Sequence, residues 1–92
     1  MKLVFTDEAL RDLDDLLAFV SLHYPAVLPA LERRLRAVLE RIALHPESAQ
    51  QVLARPGVRM APLIRYPYKI FYRINGGVVE ILHIHHVARD AG

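Results

Sequence analysis

The residues with chemical potential gather near the end of the chain: His83, His85 and His86 lie within one apolar segment, preceded by Lys69 and Arg73 in another. Imidazole is suited to proton transfer, phosphate contact or metal ligation, and the cations to holding phosphate or carboxylate. Histidines at i and i+2 point to one side of a strand, which raises a metal site. Such a site needs a third ligand, and no neighbouring carboxylate or second histidine motif supplies one. No metal is therefore expected, and His83 and His85 read as half-buried sheet residues.

Which face each group occupies depends on the hairpin carrying them. Asn75-Gly76-Gly77 tolerates positive φ and reads as its turn, between a strand over Tyr66–Ile74 and another over Val78–Val87. Centring the turn on Asn75-Gly76 or Gly76-Gly77 shifts the register by two residues and leaves the faces unchanged. Strict alternation puts Tyr68, Ile70, Tyr72 and Ile74 with Val79, Ile81, His83 and His85 toward a helical layer. Lys69, Phe71 and Arg73 then share the open face with Glu80, Leu82, Ile84 and His86. In the Gly76-Gly77 register Arg73 sits opposite Glu80, a modest cross-strand ion pair.

The elements positioning this hairpin are legible upstream. KLVF (2–5) reads as a short strand, and Thr6 as the cap of a helix with Asp7 and Glu8 opposing its dipole in the first turn. Leu10, Leu13, Leu17, Val20 and Tyr24, widened by Leu16, form a helical stripe to about Leu22, with Asp12 and Asp15 opposite. Tyr24-Pro25 breaks that helix. Leu28, Leu31, Leu35, Val38 and Ile42 carry a second one; Pro29 would disrupt an interior turn, so its regular part begins near Pro29. His45-Pro46 ends it. Residues 46–57 read as a surface connection with one weak helical turn, and Val58–Ile64 as a strand whose Pro62 demands an edge or a bulge. The order is β-α-α-β-β-β: an α+β fold with a helical hairpin on a small, mainly antiparallel sheet.

Composition restricts the function classes. At 92 residues, 53% hydrophobic and 24% charged, the chain has room for one globular domain over residues 1–92 and is too apolar for disorder. It contains no cysteine, excluding disulfides and thiolate metal sites. No apolar run reaches the roughly 20 residues that span a bilayer, and Asp7 and Glu8 interrupt any signal-peptide pattern. A cytoplasmic protein is expected, without a membrane partner. Residues 1–24 carry two basic against five acidic groups, net −3, and the remainder ten against five, net +5. A basic working surface in the C-terminal half suits nucleic acid or an acidic protein segment.

Several segments together resemble the RelE/ParE superfamily, the toxins of bacterial type II toxin-antitoxin pairs. They are TDEALRDLDDLLAFV (6–20), LHPE (44–47), GVRMAPL (57–63), YKIFYRI (68–74) and VEILHIHHVARD (79–90), covering nearly the whole chain. An apolar strand running into His-x-x-Arg-Asp is similar to the tail of ParE-like members.

The superfamily holds two mechanisms. RelE-like toxins cut messenger RNA on the ribosome; by resemblance Lys69 and His86, with Arg89, would be the catalytic groups, and Arg59, Arg65, Arg73 and Arg89 would contact phosphate. ParE-like toxins instead poison DNA gyrase without chemistry of their own. No carboxylate occurs between Glu47 and Glu80, no tyrosine follows His86, and Lys2 and Lys69 are the only lysines. The nuclease sets are thus incomplete, which favours the ParE-like branch, with Arg59, Arg65, Lys69, Arg73, His86 and Arg89 as target-binding residues. A ribosome-dependent endoribonuclease and a degenerate, non-toxic antitoxin-binding module are the alternatives. The resemblance implies a cognate antitoxin that folds onto the toxin as a hetero-oligomer, and no cofactor.

Overall fold

A computed structural model describes residues 1–89. Strand β1 (Lys2–Phe5) leads into helix α1 (Asp7–His23). A 3₁₀ turn over Pro25–Val27 connects it to α2 (Leu28–Leu44). Strands β2 (Gln50–Gln51), β3 (Val58–Pro62), β4 (Tyr68–Asn75) and β5 (Val78–His86) follow, then a 3₁₀ turn over Val87–Arg89. The sheet order is β1-β5-β4-β3-β2, with β1 parallel to β5 and every other pair antiparallel. This is the expected α+β architecture. Beyond it, the 46–57 connection holds a short strand rather than a helical turn, because Gln50 and Gln51 pair with Met60 and Arg59. No described helix is long and apolar enough to cross a membrane.

The core lies between the helices and one face of the sheet. Ala9, Leu16 and Val20 of α1 and Leu31, Leu35 and Ile42 of α2 pack on Ile70, Tyr72, Val79, Ile81 and Ile84. The buried stripe of α1 is therefore rotated from the one expected: Leu10 and Tyr24 are exposed, while Ala9 is buried. Pro29 sits at the start of α2, where its missing N–H removes no internal bond. Pro62 lies beyond the β2 pairing, on the stretch of β3 left at the sheet edge.

Thr6 joins three elements. Its hydroxyl oxygen accepts from the Ala9 N–H at 3.1 Å, capping α1. Its hydroxyl hydrogen is shared between the carbonyls of Ile81 and Leu82, each 3.1 Å away. Thr6→Ala removes both connections and is expected to destabilise the fold by about 1–2 kcal/mol, read as a lowered denaturation midpoint; an unchanged midpoint would show that the cap is replaceable by water.

The hairpin turn is Gly76-Gly77, with Asn75 paired to Val78 and Gly76 at φ 62°, a conformation glycine adopts without strain. Arg73 accordingly faces Glu80, its Nε donating to Glu80 Oε1 at 2.7 Å. Hydrogen bonds from Arg73 and from the Asn75 amide hold the Glu80 carboxyl below its ordinary range.

Strict alternation fails in β5. Ile81 pairs with Tyr72 but His83 with Phe71, so Leu82 is an extra residue and the strand bulges. The bulge falls where β1 ends: Phe5 pairs with Ile81, and beyond it β5 is an edge. Asp12 covers part of that edge, its Oδ2 accepting from the Ile84 N–H at 2.9 Å. Asp12 thus faces the sheet, contrary to the polar outer face expected for it.

Candidate functional site

The bulge exchanges the faces of everything after Leu82, correcting the expected grouping of the histidines. Ile84 pairs with Ile70 and belongs to the core, only 4% exposed. His86 pairs with Tyr68, meets its ring edge-on at 5.2 Å, and lines a cavity with Asp12, Asp15, Leu16 and Phe19 on the helical side. His83 and His85 pair with Phe71 and Lys69 on the open face. Lys69 and His86 therefore lie on opposite faces of the sheet, and His85 is the histidine beside Lys69.

The open face is built around aromatic rings. The Phe71 ring lies 6.4 Å from His83 and 5.5 Å from His85, and the two imidazoles are 4.9 Å apart. A turn folds over this cluster, held by Val52 N–H to Val58 O at 2.9 Å and Val58 N–H to Arg55 O at 3.0 Å. Gly57 supplies its φ of 81°. The turn brings Arg55 Nη2 to 3.4 Å from His83 Nε2. Because a guanidinium only donates, this contact is a hydrogen bond in the tautomer that carries its hydrogen on Nδ1 and leaves Nε2 as acceptor. On the other side, Glu8 Oε1 lies 3.1 Å from that Nδ1. Their alignment makes no hydrogen bond, so buried Nδ1 lacks one. One nitrogen from each of His83 and His85 and one Glu8 oxygen all fall within 4.8 Å of one another.

The remaining expected site residues scatter. Arg59 clamps the connection after α2, donating from Nη1 to the carbonyls of Glu47 at 2.9 Å and Ala49 at 2.8 Å. Arg65 is exposed in the turn before β4, at φ 80°. Arg73 shares the open face with Lys69 but is tied to Glu80. Arg89 closes the final 3₁₀ turn, and its side chain, like residues 90–92, is outside what the structure describes.

Glu8 and Arg55 went unrecognised as members of this cluster. Glu8 reads in sequence as a helix-dipole partner, and Arg55 as part of a surface connection. Only the parallel β1–β5 pairing and the 52–58 turn bring them to the bulge. One local signal existed: Val79, Ile81 and Ile84 step by two and then by three, the mark of an inserted strand residue.

Further grooves flank the helices, two of them with substantial apolar lining. One, about 330 Å³, runs between α1 and α2 and is lined by Leu3, Leu13, Leu17, Leu35 and Leu39, with Glu32, Arg36 and Glu40 also lining it. The other, about 480 Å³, lies between α2 and β3 and includes Arg34, Arg41, Met60, Pro62 and Ile64.

Comparison with known proteins places this architecture. Residues 3–91 match the family described as ParE toxin of type II toxin-antitoxin system, parDE. A solved structure titled "Chromosomal ParDE TA system from P. aeruginosa" is 27% identical with a TM-score of 0.78, the alignment covering 95% of this chain and 96% of that one. A "YoeB/ParE toxin from Agrobacterium tumefaciens" has the same fold at 14% identity and TM-score 0.63, covering 94% and 98% of the two chains. A search of curated proteins gives no match. With the family matched along nearly its whole length and the helices, sheet and hairpin arranged as in these structures, the chain belongs to the ParE toxin family of type II toxin-antitoxin systems.

Proposed function

We propose that residues 1–92 act as one toxin domain that arrests bacterial growth by binding DNA gyrase, without cleaving RNA, and that a cognate antitoxin neutralises it. The observation that carries this reading is the separation of Lys69 from His86. A proton-transfer pair must reach one reacting phosphate from one side, and these two residues project from opposite sides of the sheet, while His85, which does stand beside Lys69, is packed against the rings of Phe71 and His83. His86 is also engaged in the Tyr68 contact, and its ring Nδ1 accepts from the Ala88 N–H at 3.1 Å. The match of residues 3–91 to a ParE toxin model supports the same reading.

On this reading the open face is the target surface: Lys69 and Arg73 supply positive charge, Phe71 supplies apolar contact, and Arg65 extends the charge at the strand entrance. Arg59 and His86 act from behind it, holding the connection after α2 and the strand end. The apolar groove between α1 and α2 suits an amphipathic antitoxin segment, whose apolar side chains would cover Leu13, Leu17, Leu35 and Leu39.

Growth arrest on induced expression, relieved by the co-expressed antitoxin, is the expected cellular result. Purified chain should inhibit gyrase supercoiling or trap cleaved DNA, and Lys69→Glu should weaken that effect by on the order of tenfold through charge reversal at the contact. Ribosome-bound message should stay intact in parallel reactions. Cleavage of that message, abolished by Lys69→Ala or by His85→Ala, would replace the gyrase reading with the nuclease one. Expression without arrest, with antitoxin binding retained, would assign the chain as a non-toxic binding module.

A further inference from the structure

We propose that Glu8, His83 and His85 form a binding site for a divalent transition metal of the Zn²⁺ class, assembled by the β5 bulge. Imidazole nitrogens with one carboxylate oxygen form a donor set that suits zinc, cobalt or nickel and disfavours magnesium and calcium, which prefer oxygen ligands throughout. Three protein ligands with a water completing the tetrahedron is an ordinary zinc arrangement.

The geometry supports the set independently of its composition. Tetrahedral bonds of about 2.0–2.1 Å separate neighbouring ligand atoms by about 3.3 Å. His83 Nδ1 and Glu8 Oε1 are 3.1 Å apart, close to that edge, and no hydrogen bond joins them. A buried ring nitrogen without a hydrogen bond is costly unless something else fills the role. A nitrogen of His85 completes the set, one donor atom from each of the three residues falling within 4.8 Å of the others, so that closing the triangle on an ion takes a modest adjustment of the side chains. His85 stands on the same strand face as His83, and its ring already lies against Phe71, which limits its orientations.

The three ligands come from two elements that the fold holds by other means. Glu8 rides on the first turn of α1, fixed to β5 through Thr6. His83 sits immediately after the bulged residue. The metal would therefore stitch the start of α1 to the edge of β5 and add two positive charges to the face that also carries Lys69. Arg55 opposes it. While Arg55 donates to Nε2, the His83 proton is held on Nδ1; metal binding at Nδ1 requires that proton to move to Nε2, so that the imidazole ligates as a neutral ring, and the guanidinium must withdraw. Arg55 is exposed on its turn and is able to move away.

The test is titration of the full, untagged, chelator-treated chain with Co²⁺, followed by its visible absorption, and with Zn²⁺ by calorimetry and thermal unfolding. One equivalent should bind, with the intense bands of a four-coordinate ion, and Zn²⁺ at a hundredfold excess over its Kd should raise the melting temperature by on the order of 10 °C. Glu8→Gln, an isosteric change on an exposed side chain, should weaken binding by about a hundredfold, as should His83→Ala and His85→Ala. Arg55→Ala should tighten it several-fold. His86→Ala, on the opposite face, should bind as the parent does. Absence of saturable binding, binding that survives Glu8→Gln and His85→Ala undiminished, or binding lost with His86→Ala would overturn the site. Circular dichroism of each variant separates loss of metal from loss of fold, and Glu8→Gln decides the matter if a histidine variant does not fold.

Discussion

A chain carrying Ile84→Lys is expected to be unfolded at room temperature, whereas Leu82→Lys, two residues earlier, is expected to fold. Ile84 pairs with Ile70 inside the helix-sheet core and is 4% exposed. Placing an ammonium there removes about 2 kcal/mol of apolar burial. It also forces an ammonium into the packed core, a further cost of several kcal/mol that Asp12 and Asp15, on the cavity beside Ile84, offset only in part. Domains of this size have about 5–10 kcal/mol to lose. Leu82 is the unpaired bulge residue and only partly buried, so a lysine there can extend its charge into solvent, and its effect should stay within about 1 kcal/mol. Circular dichroism and amide dispersion of the two variants provide the measurement. Equal tolerance of the two lysines, or a worse outcome for Leu82→Lys, would mean that β5 runs without the bulge and that His86 shares the open face with Lys69.

That same comparison separates what the sequence made legible from what it did not. Up to the bulge, alternation works: Tyr72, Ile74, Val79 and Ile81 occupy the face expected of them, and Arg73 faces Glu80 as the Gly76-Gly77 turn requires. The helices, their breaks at Pro25 and Pro46, and the Thr6 cap are also local and were readable for that reason. Beyond Ile81 the decision is made elsewhere. Strand β1 ends, Thr6 engages the Ile81 and Leu82 carbonyls, and Asp12 accepts the Ile84 N–H. These contacts join residues more than seventy positions apart in sequence, and no local pattern encodes them. The extra residue they accommodate inverts the parity of His83, Ile84, His85 and His86. Period-two alternation loses its meaning beyond a single inserted residue. Family resemblance was unaffected, because it rests on the succession of segments rather than on which face each histidine takes.

The second large effect is expected at Tyr72, which lies on the reliable side of the bulge and is 0% exposed. Its hydroxyl donates to the Pro46 carbonyl at 2.7 Å, while Arg59 from the adjacent strand holds the Glu47 and Ala49 carbonyls. Together they fasten the connection that carries Gln50 and Gln51 into the sheet and forms one wall of the groove between α2 and β3. Tyr72→Ala removes a central ring and should cost about 3–5 kcal/mol, most of the stability available. Tyr72→Phe keeps the ring and loses the hydrogen bond, for about 1–2 kcal/mol and a melting temperature lower by roughly 5–10 °C. Burial pushes the Tyr72 phenol above its ordinary range, against the opposing charge of Arg59. The unfolded chain therefore ionises first as pH rises. The tyrosine's contribution is complete below the ordinary phenol range and is lost on passing through the raised folded value. The gap between parent and Tyr72→Phe should accordingly be widest at neutral pH and close in alkali. A constant gap across that range, or Tyr72→Phe melting with the parent at neutral pH, would show that the hydroxyl does not hold the connection and would leave Arg59 as the clamp that orders the groove wall.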